Sequence, residues 1–315
     1  MRFFIIGFIS LIFYEASFSQ CCSPGNPVGG TTNIGVLDKN TFRFISFYRY
    51  SYSDSYYSGD AQSNFSFVKN AGFNYLGVLV GYGMLNKLTI ETELGYFLSR
   101  SQTYNITPEF TNTGFGFNNA VLSLKCNLIA KTEKPFEWTI GAGAKIPFSK
   151  DFQIVDNSEL PRDVQSSTHA FGIVAQSFLY KGFLQKKLRF FFINRYEYNF
   201  PDIKNYQYGK VLFSSFFIAR KLAESNWTAI LQTRHEWRDY DYKNASDLNA
   251  KIKSSGGNLI FVSPQINYTI AKKWSLSLLA DLPAYRNYNG TQLGNKFSFA
   301  LYLSRDFGGK CGVKE

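Results

Sequence analysis

Residues 87–101 read KLTIETELGYFLSRS and show the clearest alternation of apolar and polar residues in the chain. Every second position from Leu88 carries Leu, Ile, Thr, Leu, Tyr and Leu. The positions between them carry Thr, Glu, Glu, Gly and Ser, with Phe97 as the exception. Successive side chains of a β-strand point to opposite faces, whereas a helix would scatter the same charges around its circumference. The stretch therefore predicts a strand between an apolar and an aqueous environment.

The same alternation recurs along the chain from Thr41 onward. Twelve strand-like segments are predicted in all, at about 41–53, 71–83, 87–100, 115–128, 136–148, 169–180, 187–200, 209–221, 226–238, 258–270, 273–285 and 296–307. An even number of strands is typical of single-chain bacterial outer-membrane barrels, in which both ends of the chain lie on the periplasmic side.

The connections between the segments alternate in length. Long polar connections such as SDSYYSGDAQSNFSFVKN follow the odd segments, and short ones such as MLNK and AKK follow the even segments. Long outer loops and short periplasmic turns are the pattern of outer-membrane barrels. A closed sheet also pairs every backbone N–H and C=O within a bilayer. The sequence therefore predicts an all-β, antiparallel up-and-down transmembrane β-barrel of about twelve strands.

Composition agrees with a membrane barrel. The chain has 32 Phe and 21 Tyr, as expected for aromatic girdles at both membrane interfaces. Its net charge of +11 predicts surfaces that attract anions or lie against anionic lipid headgroups. No compact basic run or recognition motif points to nucleic acid, so none is expected as a partner.

The first nineteen residues have the features of a secretory signal peptide. Arg2 supplies a positive charge, Phe3–Tyr14 is an apolar run, and small residues precede Gln20. Cleavage is expected before Gln20. The alternative is a lipoprotein anchored through Cys21.

The mature chain divides into three parts. Residues 20–40 are rich in Gly, Pro and Asn, and they predict an irregular periplasmic leader or a segment inserted into the barrel mouth. Residues 41–307 would form the barrel and 308–315 a periplasmic tail. Because the compartment is oxidising, a disulfide between Cys311 and either Cys21 or Cys22 is expected.

Charged residues on the polar face of the strands are the candidate functional site. Alternation places them in the lumen, where they would select solutes by charge; the alternative is a salt-bridge lattice that only satisfies a wet interior. The candidates are Glu91, Glu93, Lys125, Lys145, Arg189, Arg195, Glu197, Arg234, Glu236, Arg238 and Asp281.

No catalytic or metal-binding motif is present, so no catalytic residue, metal or cofactor is predicted and the chain is not expected to be an enzyme. The two histidines are His169 and His235. Some outer-membrane phospholipases use Ser, His and Asn on the lipid face, and His235 falls on that face. A serine within hydrogen-bond reach of His235 would favour a membrane-embedded hydrolase.

Short motifs carry a family resemblance over residues 40–307. The chain resembles a family of outer-membrane transporters named for phenol and meta-pathway degradation, related to the fatty-acid transporter barrels. The shared motifs are Gly141-x-Gly143-x-Lys145-x-Pro147, Leu160-Pro161-x-Asp163-x-Gln165, Ser263-Pro264, Asp281-Leu282-Pro283-x-Tyr285 and Asn289-Gly290-x-Gln292-Leu293. The resemblance implies passage of small molecules, hydrophobic ones among them, and it implies no catalytic residue.

Two terminal features also resemble known secreted proteins. The last segment ends on Phe307, as do the C-terminal signals that the outer-membrane assembly machinery recognises. The expected start at Gln20 resembles secreted proteins of Bacteroidetes-type bacteria.

These observations predict a porin-like channel or transporter for small, hydrophobic or anionic solutes in a Gram-negative outer membrane. The alternative is a structural, adhesion or assembly-partner barrel with a closed lumen, and a membrane-embedded hydrolase is the third hypothesis. The partners expected are the lipid bilayer, a small-molecule solute and the outer-membrane assembly machinery.

Overall fold

The computed structural model describes residues 35–131, 135–223, 225–247, 250–270 and 274–308. The expected signal peptide, most of the leader and the C-terminal tail lie outside these residues. So do Cys21, Cys22 and Cys311, and the disulfide stays a prediction.

The barrel wall is a ring of antiparallel strands, each hydrogen-bonded to its neighbours in sequence. Its strands are β1 Thr41–Ser53, β2 Val68–Leu85, β3 Leu88–Tyr104, β4 Ala120–Lys131, β5 Phe136–Ile146, β6 Gly172–Phe183, β7 Leu188–Asn199, β8 Val211–Lys221, β9 Trp227–Arg238, β10 Gly257–Ile270, β11 Trp274–Gly294 and β12 Phe297–Gly308.

The first and last strands close the ring. Thr41 pairs with Gly308 and Tyr52 with Phe297, while the other edge of β1 pairs with β2. Closure leaves no free edge in the wall, so a backbone in this form can lie in hydrocarbon. The predicted twelve-stranded antiparallel barrel is confirmed.

The outer ends of several strands continue as hairpins. Ser55–Gly59 pairs with the outer end of β11 and with Ala61–Ser63. Phe110–Phe117 pairs with the outer half of β3. The sequence predicted a loop up to residue 114 and one strand over 115–128. The structure instead breaks that strand at Asn119, whose side-chain amide donates to Thr168 Oγ1 and to the Ala170 carbonyl, both at 2.9 Å.

The outward face carries an apolar belt. Its middle is formed by exposed side chains that include Leu94, Leu124, Ile140, Phe192, Leu231, Leu278 and Leu301. Aromatic pairs flank the belt at the inner end, where Phe42 meets Phe307 and Trp227 meets Tyr268. Such a surface suits a bilayer with interfacial aromatic anchors. Among the described residues, no helix is long and apolar enough to cross a membrane.

A charge in the middle of this belt is expected to weaken the fold. Leu301→Arg should lower the free energy of unfolding by about 2–4 kcal/mol, because the arginine faces hydrocarbon near the bilayer midplane. Leu85→Arg, at the inner end of β2, is the control and should cost about 0–1 kcal/mol. Denaturant unfolding in lipid vesicles measures both. Equal effects at the two positions would contradict the assigned belt.

Candidate functional site: the barrel lumen

Aromatic side chains fill much of the lumen on the side of β1–β3. Phe47 lies over Gly77 and Tyr75 over Gly95, so that a Cβ at either glycine would overlap the ring above it. Phe97, the exception in the alternating sequence, is fully buried and packs edge-on against Tyr75 with ring centroids 4.8 Å apart. The inward face of the barrel is therefore both aromatic and polar.

Gly95→Ala tests this packing. The added methyl group has no room beside the Tyr75 ring, so the free energy of unfolding should fall by about 1–3 kcal/mol. Gly81→Ala on β2 is the matched control, because its Cβ would meet Leu37 Cδ1 at 3.2 Å and nothing else closer than 3.8 Å. Comparable losses in both variants, measured by denaturant unfolding, would show that the Tyr75–Gly95 contact has no special role.

A network of four charged residues crosses the lumen. Arg195 donates from Nη1 to Glu93 Oε1 at 2.7 Å and from Nε to Glu197 Oε1 at 2.7 Å. Glu197 also accepts from Lys145 Nζ at 3.0 Å. These four residues are called the cross-lumen network. Glu93 is on β3 and Arg195 on β7, with three strands between them in the wall. Their bond therefore passes through the lumen, and only 2% of Arg195 is exposed.

A second cluster surrounds Asp281 on β11, and we call it the Asp281 cluster. Asp281 Oδ2 accepts from Arg49 Nη2 at 2.5 Å and from Arg234 Nη1 at 3.1 Å, while the Ser263 hydroxyl donates to Oδ1. Arg49 was not among the residues that the sequence singled out. Its position two residues after Phe47 places it on the same inward face of β1, and this spacing was the available signal.

The other candidates also occupy inward positions. Lys125 Nζ lies 2.7 Å from Glu91 Oε1, and Arg238 lies 3.8 Å from Glu236. Arg189 is half-buried at the inner end of β7.

With Arg49 added, the lumen set holds seven basic and five acidic side chains, so it is close to neutral. The large positive charge of the chain lies mainly elsewhere, and the proposed selectivity of these residues stays a prediction.

The third outer loop, residues 147–171, packs against the outer end of β3 at the outer mouth. Val164 and Gln165 in this loop are fully buried. Gln165 accepts from the Gln153 backbone N–H and donates to the Leu160 carbonyl, both at 2.8 Å. Arg100 at the outer end of β3 donates to the Gln165 carbonyl at 2.9 Å. The sequence predicts this segment as a long polar loop that carries the Leu160-Pro161-x-Asp163-x-Gln165 motif of the family resemblance.

Arg162 fastens that loop to the next one. Its guanidinium forms a salt bridge with Asp202 and lies over the Tyr206 ring, 3.9 Å from the centroid. Tyr206 in turn donates from its hydroxyl to Asp241 Oδ2 at 2.8 Å. Burial, with the nearby Asp241 carboxylate, raises the pKa of Tyr206 well above its usual value, so the phenol stays protonated and donates. We call this arrangement the outer latch.

The end of the leader occupies the inner mouth. Leu37 is buried and its backbone N–H donates to Thr89 Oγ1 at 2.8 Å, while the Val36 N–H lies 3.3 Å from Glu137 Oε1. Residues 35–40 are the described end of the expected leader, and the division into leader, barrel and tail stays a prediction.

The histidines occupy unrelated environments. His235 faces outward on β9, with Nε2 3.3 Å from Asn258 Oδ1. Ser214, opposite it on β8, donates to Asn194 at 2.8 Å. His169 lies in the outer mouth with Nδ1 3.1 Å from the Ser149 carbonyl, and burial lowers its pKa. Within the described part of the chain, no group of three or more His, Cys, Asp or Glu could hold a metal ion.

Comparison with solved structures gives the architecture a precedent. The chain superposes on an outer-membrane channel of Pseudomonas putida F1 with a TM-score of 0.68, at 10% identity, over 89% of this chain and 100% of that one. The chain has the fold of an outer-membrane β-barrel. No family model matches the sequence, and no curated protein matches it.

Looser overlaps exist with the beta domain of the Bordetella autotransporter BrkA and with the NanC porin. The first has a TM-score of 0.47 and 8% identity over 85% of this chain and 100% of that one. The second has a TM-score of 0.44 and 10% identity over 83% of this chain and 98% of the porin chain. Both structures are too distant to bear on function. The resemblance of the expected start at Gln20 to secreted proteins of Bacteroidetes-type bacteria stays a prediction.

Proposed function

We propose that the chain is an outer-membrane channel or transporter that passes small molecules through a lumen that is closed at rest. The observation that carries this proposal is the cross-lumen network. It joins β3 to β7 through the interior by side-chain ion pairs alone. A barrier of this kind can open by rotamer changes, without breaking the backbone ladder of the wall.

The chemistry of the barrier supports passage over a purely structural role. Buried ion pairs rarely stabilise a fold more than well-packed apolar side chains of similar size. A barrel that only needed a solid interior could therefore be filled with apolar residues. Instead, the centre of this lumen holds the cross-lumen network and the Asp281 cluster.

The lining favours hydrophobic solutes over anions. Rings of Phe47, Tyr75 and Phe97 line one side, and Phe178, Phe191 and Phe217 form a second buried cluster on β6–β8. The near balance of lumen charges gives little attraction for anions. The family resemblance points to hydrophobic molecules as well. The same proposal includes membership of that transporter family and residence in the outer membrane, with delivery there by the assembly machinery. It also includes the absence of enzymatic activity.

Solute uptake by proteoliposomes tests the proposal. The purified chain would be reconstituted, and entry of a small monoaromatic compound, an organic anion and a sugar of similar size compared. We expect protein-dependent entry, fastest for the monoaromatic compound. Rates equal to those of vesicles carrying the heat-unfolded chain, for all three solutes, would contradict the proposal.

The burial of the central side chains also favours a second candidate, a structural barrel with a permanently closed lumen. Arg195, Asp281 and Phe97 are all 2% exposed or less. Protein-independent uptake together with correct folding, seen as heat-modifiable migration on a gel, would favour that candidate.

A further inference from the structure

The excess positive charge of the chain is concentrated in part at the inner rim of the barrel. Lys186 and Lys187 lie in the periplasmic turn after β6, and Arg220 and Lys221 are the last two residues of β8, directly before the neighbouring turn. The turns are joined directly, since the Lys221 backbone N–H donates to the Lys187 carbonyl at 3.2 Å. All four cationic residues are exposed. This rim contrasts with the lumen, whose charges nearly cancel.

A groove of about 800 Å³ lies between the two turns. The four cations line it together with Gln185, Leu188, Leu222, Ala223 and Ser225, so no acidic residue is among its described walls. Glu224, in the second turn, lies outside the described residues. In sequence, the two turns and the end of β8 together therefore carry four cations and one carboxylate, and the groove suits an anion.

The lipid-facing wall directly beside the groove is aromatic. Arg220 follows Phe216 and Ile218 on the outward face of β8, and Phe216 stacks on Phe190 with centroids 6.0 Å apart. Phe190 packs edge-on against Phe183 at 5.6 Å. A ligand in the groove would thus meet cations at the level of the headgroups and an apolar surface immediately toward the bilayer centre.

We propose that this groove binds the phosphate headgroup of an anionic phospholipid from the periplasmic leaflet, with the acyl chains lying on Phe183, Phe190 and Phe216. The pairing of cations with an adjoining aromatic wall distinguishes a phospholipid from free phosphate, which would use the cations alone. The site depends on the barrel lying in a bilayer, and it does not require the lumen to conduct.

Lipid retention by the purified full-length chain tests the site. Native mass spectrometry in a neutral detergent, titrated with phosphatidylglycerol and separately with phosphatidylcholine, measures the two affinities. The unmodified chain should prefer phosphatidylglycerol. A triple variant should weaken phosphatidylglycerol binding on the order of a hundredfold; it carries Lys186→Gln, Arg220→Gln and Lys221→Gln.

The matched control removes the same charge from the outer loops, as Lys150→Gln/Lys251→Gln/Lys253→Gln, and should leave binding unchanged. Equal loss in the control variant would overturn the site. So would equal affinity for the two lipids in the unmodified chain, a result that does not depend on how the variants fold. Complete displacement of phosphatidylglycerol by millimolar inorganic phosphate would identify a free-phosphate site and would also overturn the proposal.

Discussion

Arg195→Met should open the lumen and destabilise the barrel. The substitution leaves Glu93 without its cation and Glu197 with Lys145 alone. Removing one partner of a buried ion pair costs about 3–5 kcal/mol, because the remaining charge is uncompensated. If most of that cost falls on the closed state, the open probability rises more than tenfold, since about 1.4 kcal/mol corresponds to a factor of ten. Denaturant unfolding and planar-bilayer recording measure the two effects.

Two further variants separate loss of the cross-lumen network from general damage. Arg195→Met combined with Glu93→Gln and Glu197→Gln removes the stranded charges and should recover most of the stability. Arg43→Met breaks an ion pair with the half-exposed Asp306 at the inner mouth. Because Asp306 reaches solvent, this pair should contribute only about 0–1 kcal/mol, and the variant should stay close to the original chain. Equal destabilisation by Arg43→Met and Arg195→Met would contradict the assigned barrier.

Arg162→Gln should release the third outer loop. The substitution removes the salt bridge to Asp202, whose side chain is fully buried, and the contacts of the guanidinium with the Tyr206 and Phe152 rings. Hydrogen bonds to charged groups contribute about 1.5–3 kcal/mol. The loop should therefore open at least tenfold more often, and chymotrypsin should cut near Phe152 correspondingly faster.

The control for the outer latch is Lys204→Gln in the adjoining loop. Lys204 pairs with Glu159 and its Nζ lies 4.6 Å from the centroid of the Phe152 ring, but both side chains of the pair are 40% exposed or more, so these contacts are solvated. An exposed pair of this kind should contribute little, and cleavage near Phe152 should stay close to that of the original chain. Unchanged cleavage in Arg162→Gln, or an equal increase in Lys204→Gln, would show that the outer latch does not hold the loop.

Most of the wall could be predicted because alternation depends only on local sequence. In residues 87–101, Thr89, Glu91 and Glu93 face inward as their spacing requires. The same stretch shows the limit of the pattern. Alternation assigns Glu93 to a face but not to a partner, and its partner Arg195 is 102 residues away on a strand that does not adjoin it. That contact depends on the curvature of the closed barrel and on side-chain reach.

The contacts at the two mouths were harder to predict. Val164 lies in a polar segment, and nothing local shows that it is buried against Gly114 of another outer connection. The Leu37 contact with the inner mouth likewise joins the leader to a distant strand. Loops with no periodic pattern carry little signal for such packing. The excess of apolar residues over the surrounding polar sequence at Leu160 and Val164 was the available hint.

Single-channel recording distinguishes a passage closed by side chains from a permanently solid barrel. The unmodified chain and the double variant Arg162→Gln/Arg195→Met would be refolded and compared in planar bilayers under a salt gradient. We expect rare, small openings for the unmodified chain, and frequent, larger steps with weak ion selectivity for the variant. Electrical silence of both proteins, each migrating as a folded, heat-modifiable barrel, would contradict a closed passage and favour a structural barrel.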